Sequence, residues 1–128
     1  AATLCVVDGR LFVIGGEGEG SFLSSVEEYI APEQRWVSIP DMPRAVCLAA
    51  AVAWEGKLLV IGGVSSEFDP LSAVLEYSPS ERSWKELPSL LTARSRNAVT
   101  VVGGDVVVMG GASISGPAQA VERYDRLS

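Results

Sequence analysis

Residues 11–21, LFVIGGEGEGS, pass from an apolar segment into a stretch with glycine at four of the six positions 15–20. A glycine-rich loop behind a strand can wrap backbone N–H groups around a phosphate. That chemistry needs a helix N-terminus after the loop and preferably a lysine or arginine, whereas Glu17 and Glu19 put negative charge into this one. Four further carboxylates, Glu27, Glu28, Glu76 and Glu122, lie beside tyrosines, and a pair for acid–base work would have to be assembled from separate parts of the chain. Histidine is absent, which removes Ser-His-Asp and Cys-His nucleophiles and the commonest ligand of catalytic zinc, copper or iron from these 128 residues. Cys5 and Cys47 stand in apolar runs without CxxC spacing. They read as free thiols of a reducing, cytoplasmic compartment rather than a metal site or a disulfide framework.

The elements that must hold these residues form a repeat. Double glycines close three apolar segments, LFVIGG at Gly15 and Gly16, LLVIGG at Gly62 and Gly63, and VVVMGG at Gly110 and Gly111, spaced by 47 and then 48 residues. Tyr29, Tyr77 and Tyr124 follow at the same rhythm, each three residues after a valine, and Trp36 and Trp84 come seven residues after the first two tyrosines. Pro40 and Pro88 lie four residues beyond the tryptophans. Upstream of each double glycine is a two-residue step, Asp8-Gly9, Glu55-Gly56 or Gly103-Gly104, between β-branched segments, the signature of a tight hairpin with positive φ at its turn. A third strand carries the Val-x-x-Tyr pattern, a polar turn follows, and a fourth strand begins at the tryptophan. Four antiparallel strands in about 40–50 residues describe one blade of a β-propeller.

Composition excludes several classes of partner. A net charge of −6 opposes a polyphosphate backbone, so no nucleic acid is expected. The longest apolar run, residues 45–54, is too short for a bilayer span, and no membrane association is expected. The chain opens at Ala1 with no basic, signal-like segment and its third unit stops at Ser128 ahead of an outer strand, so it is expected to be a piece of something longer.

The double glycine, spaced tyrosine and spaced tryptophan resemble the Kelch repeat across essentially the whole chain, and the wording of VERYD and W-x-x-x-P resembles the BTB-associated group. The resemblance implies an all-β, Kelch-type propeller segment of about three four-stranded antiparallel blades, an incomplete ring. The blades divide at about 1–40, 41–88 and 89–128, the last without its outer strand. Each blade's first strand would line a central channel, and its last would carry the tryptophan outside. Gly15, Gly16, Gly62, Gly63, Gly110, Gly111, Tyr29, Tyr77, Tyr124, Trp36 and Trp84 are then scaffold. Trp54, which has Val7 and Val102 at its repeat positions, would cap its blade or touch a neighbour. An incomplete ring exposes the apolar faces of its end blades, so the remaining blades are expected from the parent chain or from a second copy.

The resemblance further implies that partners bind on one rim, through the loops after the double glycine and those joining successive blades. Here these are residues 17–24, 64–72, 112–119, 41–46 and 89–96, whose contents vary while the strands repeat, as a recognition surface requires. The resemblance places Arg94 where the family often meets an acidic group, and Arg96 lies beside it. Arg44 falls two positions early, with Val46 at the aligned place. Guanidinium groups suit bidentate pairing with carboxylates or phosphorylated side chains, although loop arginines equally pair with local acids. Ser65, Ser66, Phe68, Glu17, Glu19, Phe22, Ser113 and Ser115 complete the candidate rim. The function implied is a protein–protein interaction module for a peptide or protein partner, and by the same resemblance substrate recognition for a cullin-type ubiquitin ligase. A propeller enzyme of the carbohydrate oxidase or sialic-acid epimerase type, or an actin-associated scaffold, is the alternative. No cofactor, metal or catalytic residue is expected in this segment.

Overall fold

The structure, a computed structural model, describes residues 2–18, 21–65, 69–113, 116–117 and 121–124, with the backbone alone for residues 17, 18, 21, 22, 116 and 117. Strands β1 (Thr3–Val7) and β2 (Arg10–Ile14) pair as a hairpin, β3 (Glu17–Gly18) pairs with β4 (Ser21–Phe22), and β5 (Val26–Ile30) and β6 (Arg35–Ile39) follow. The second unit runs through β7 (Ala50–Trp54), β8 (Lys57–Ile61), β9 (Val74–Ser78) and β10 (Ser83–Leu87). The third runs through β11 (Ala98–Val102), β12 (Asp105–Met109), β13 (Ala112–Ser113), β14 (Gly116–Pro117) and β15 (Val121–Tyr124). Among the described residues three larger antiparallel sheets, in the orders β1-β2-β5-β6, β7-β8-β9-β10 and β11-β12-β15, form the arc of an open propeller, with the two-stranded pairs β3-β4 and β13-β14 beside them. The hairpin steps behave as their residues require: both turn positions have positive φ, 48° and 77° at Asp8 and Gly9, 51° and 74° at Glu55 and Gly56.

Packing between sheets explains the strand composition. Strand β7 touches β1 on one side and β11 on the other, so the first strand of each unit is innermost. Opposed residues share a face. Phe12, Ile14 and Val26 of the first sheet therefore meet Leu58, Val60, Leu75 and Tyr77 of the second in one apolar cluster. Leu59, Ile61 and Val74 on its other face meet Val106 and Val108 of the third. KLLVI is apolar on both faces because β8 is buried from both sides. Each such fully buried leucine or isoleucine contributes about 1.5–3 kcal/mol relative to exposure, so the seams between sheets hold the molecule together.

Polar bonds cross the same seams. The Trp84 indole Nε1 donates to Pro40 O at 2.8 Å, Trp54 Nε1 donates to Gly104 O at 2.9 Å, and the Tyr124 hydroxyl donates to Pro88 O. Trp54 thus contacts a neighbouring sheet. Glu28, buried on β5, accepts both forks of Arg10, from Nε at 2.6 Å and Nη2 at 2.7 Å. This pair raises the Arg10 guanidinium pKa further above its ordinary value.

Tyr77 packs edge-on to Phe12 and tilted against Trp84, and its buried hydroxyl has no hydrogen-bond partner among the described residues. Burial pushes its phenol pKa up from the ordinary value, against the pull of Arg82 and Arg10. The folded state therefore keeps this proton after the unfolded chain begins to lose it. Its contribution is fully present below about pH 10 and is lost as pH rises further. Tyr77→Phe is expected to leave stability at pH 7 within about 0.5 kcal/mol of the natural chain, because no bond is lost. It should also flatten the alkaline decline. Urea midpoints measured from pH 7 to pH 11 check both, and a large loss at pH 7 would show that the hydroxyl has an essential partner.

Candidate functional site

The double glycines build one rim of the arc. Gly15 N donates to Ser25 O and Gly62 N to Ala73 O, both at 2.9 Å, turning the chain sharply out of β2 and β8. Gly16 N donates to Val46 O at 3.1 Å and Gly63 N to Arg94 O at 2.9 Å, which fastens the segment leaving each sheet to the double glycine of that sheet. The returning bonds repeat as well: Val46 N to Leu23 O, Arg94 N to Leu71 O, Met42 N to Ser24 O and Leu90 N to Ser72 O. The exit segment then pairs reciprocally with the next sheet, Cys47 with Val64 and Ser95 with Ala112. Post-glycine and exit segments are therefore interwoven on the same rim. The Gly15 and Gly16 N–H groups are taken by carbonyls, and among the described residues strand β5 follows β4 with no helix between them, so a phosphate there would lack these two donors and a helix dipole.

The bond register equates Val46 with Arg94, as the repeat implied, and decides what Arg94 does. Its side chain is 0% exposed, with Nη2 at 2.9 Å from Glu122 Oε1 and Nη1 at 3.2 Å from Gly110 O. Glu122 also accepts Leu91 N at 2.9 Å and Thr92 N at 3.0 Å. The expectation that Arg94 faces a partner from the rim is corrected: the guanidinium lies in the seam between the second and third sheets and holds the exit segment down. At the preceding seam the same two positions are Val46 and Leu75, both buried in the apolar cluster. One seam uses an ion pair where the other uses a hydrocarbon pair.

The remaining candidates separate. Arg96 is exposed with φ 53°, its backbone N bonded to Leu48 O at 2.9 Å, and it makes no ion pair among the described residues. Arg44 is half-exposed and reaches across to Glu86 on β10, Nη2 to Oε1 at 2.7 Å, above a shallow hollow lined by Ala73, Val74, Leu87 and Ser89. Such a solvent-facing bridge contributes about 0–1 kcal/mol and leaves Arg44 exchangeable. Ser65, half-buried, donates its N–H to Asp69 O at 3.0 Å, and Ser113 is half-buried on β13. Glu17 and Phe22 oppose each other in the β3/β4 register. Glu19, Ser66, Phe68 and Ser115 lie outside the described residues.

Leu91 was missed from sequence. It is 92% exposed on the exit segment of the second sheet, next to the buried Leu90. It lies within the expected rim segment 89–96 and takes the repeat position of Pro43, which is also exposed. Burial pushes the Cys5 thiol up in pKa, which disfavours the nucleophilic thiolate. Among the described residues no group of three histidine, cysteine, aspartate or glutamate side chains is placed to hold a metal ion, and no helix is long and apolar enough to cross a membrane.

A family model for the Kelch motif matches residues 1–43 and 45–91. The chain is similar to Kelch-like protein 35 of Homo sapiens, 42% identical over 60 residues that are 47% of this chain and 10% of that protein. It is similar to Kelch-like protein 35 of Mus musculus, 36% identical over 64 residues covering 50% of this chain and 11% of the relative. Beta-scruin of Limulus polyphemus is 32% identical over 63 residues, 48% of this chain and 7% of the relative. The matched segments thus span about a tenth of these relatives' lengths or less.

Proposed function

We propose a function on the premise that this chain belongs to the Kelch-motif family, whose model covers residues 1–43 and 45–91. The chain is a protein-interaction module on a propeller segment. The double-glycine rim is its recognition surface, with Arg96 and Leu91 as contacts and Arg44 as an exchangeable cation. The observation that carries this reading is the contrast within one exit segment: Leu90 and Arg94 are buried, while Leu91 and Arg96 point out with no packing or ionic role among the described residues. A matching partner segment carries a carboxylate or phosphorylated side chain for Arg96 and an apolar one for Leu91. In the parent protein, the reading extends to substrate selection for a cullin-type ubiquitin ligase in the cytoplasm, supported by the similarity to a Kelch-like protein.

The test is affinity capture from lysate with the natural chain and with the double variant Leu91→Ser, Arg96→Ala. Partner recovery is expected to fall about tenfold or more, as for loss of an interface hot spot, with the circular dichroism spectrum unchanged. Equal recovery by both proteins refutes the rim. If the full-length parent recovers its partner but no cullin, the ligase role fails while the rim stands.

A further inference from the structure

The two seams between the three larger sheets repeat their backbone bonds and their apolar contacts, yet one pair of facing residues differs between them. On the face that receives an exit segment, the strand register equates Leu58 with Val106, Val60 with Val108 and Tyr77 with Tyr124. On the side that presents it, Phe12, Ile14 and Val26 correspond to Leu59, Ile61 and Val74, and Met42 corresponds to Leu90. An aromatic donor meets a proline carbonyl at both seams, Trp84 at Pro40 O and Tyr124 at Pro88 O. Such contacts are apolar or made to the backbone, so they discriminate weakly between the second and third sheets as neighbours of a given exit segment. The differing pair changes chemical class on both sides together: Val46 with Leu75 at the first seam, Arg94 with Glu122 at the second.

We propose that Arg94 and Glu122 form a seam-specific key, which stops the second and third sheets from being exchanged between copies of this chain. Two wrong dockings show how it acts. The third sheet of one copy, laid on the first exit segment of another, sets Glu122 against Val46. The second sheet of one copy, laid on the second exit segment of another, sets Arg94 against Leu75. Each buries a charge without its counter-ion, which disfavours the exchange by about a hundredfold or more. Swapping of this kind is the characteristic failure of chains built from near-equivalent units. The contribution of the pair is therefore choice of neighbour, since hydrocarbon at the same two positions already closes the first seam. The corresponding position on the first sheet is Glu27, so the key separates the second sheet from the third and does not act on the first.

The test refolds the full chain from guanidinium chloride at increasing protein concentration and reads the share of dimers and larger assemblies by sedimentation velocity. The double variant Arg94→Val, Glu122→Leu gives both seams the same hydrocarbon pair and so removes the key. Its oligomer share is expected to exceed that of the natural chain by about tenfold at equal concentration, because both wrong dockings lose their charge penalty. Arg94→Met, Glu122→Leu, nearer in volume to the natural pair, takes its place if the first variant does not fold. Gly103→Ala, which keeps the key and meets no neighbour, controls for lost stability alone. As a second measurement, isotope-filtered NMR on oligomers mixed from labelled and unlabelled variant chains should find the Val108 methyls of one copy against Val46 of another. The inference is overturned if the variants refold with the natural oligomer share, if Gly103→Ala raises that share as much, or if the oligomers lack the contact between copies. Failure of both double variants to fold overturns it too, because the pair would then serve stability rather than choice.

Discussion

Glu122→Ala is expected to destabilise the protein by about 3–5 kcal/mol, far more than a typical surface substitution, because it removes the carboxylate paired with a fully buried guanidinium. Arg94 keeps its bond to Gly110 O but loses its counter-ion, and the N–H groups of Leu91 and Thr92 lose their acceptor. The molecule itself supplies the control. At the neighbouring seam Val46 and Leu75 fill the equivalent positions, so the double variant Arg94→Val, Glu122→Leu copies an arrangement this chain already folds with. Replacing both charges of a buried pair with hydrocarbon is near neutral or stabilising where the volumes fit. The double variant should therefore be more stable than either single one, with a coupling energy of about 2 kcal/mol or more. Guanidinium chloride unfolding of the four proteins provides the cycle. If the single variants simply add, Arg94 and Glu122 do not act as a pair, and the exit segment is held by its backbone bonds alone.

The second large effect falls on a glycine. Gly62 has φ +72°, and a Cβ built there would lie 2.5 Å from Arg94 O and 2.9 Å from Asn97 Oδ1. A left-handed conformation costs a non-glycine residue about 1–2 kcal/mol, and the clash with a backbone oxygen has no flexible side chain to absorb it. Gly62→Ala is expected to lose about 3 kcal/mol or more, and hydrogen exchange should quicken first at Gly63 and Arg94, whose N–H groups hold the exit segment. Gly103 separates the two contributions: its φ is +58°, but a Cβ there meets nothing within 4 Å. Gly103→Ala should cost only about 1 kcal/mol, the conformational part alone. Thermal melts of the two variants check the ordering. Equal losses would mean that φ alone, not the crossing of exit segment and glycine, makes the double glycine necessary.

Much of the fold was legible because period-two burial and turn chemistry are local. The Asp8-Gly9 and Glu55-Gly56 steps specify their hairpins through the conformations they tolerate, and KLLVI shows two-sided burial in its lack of alternation. The site was less legible, because exposure in an exit segment depends on which neighbour lies over it. Leu90 and Leu91 are identical in type and adjacent in sequence, yet Leu90 is tied down by Ser72 O while Leu91 is 92% exposed. Arg94 and Arg96 show the same limit. Both are charged residues in a polar stretch, and only the seam distinguishes the one that is buried.

By itself, the sequence determined the all-β class, the three-unit repeat, the hairpins and the identity of the rim segments, since each rests on the spacing and backbone preference of nearby residues. It also placed Val46 at the position of Arg94. Tertiary structure alone decided what those two positions do. A guanidinium and an isopropyl group occupy equivalent places in consecutive seams because their partners, Glu122 and Leu75, stand 28 or 29 residues further along the chain. Only the packing of one sheet against the next brings each pair together.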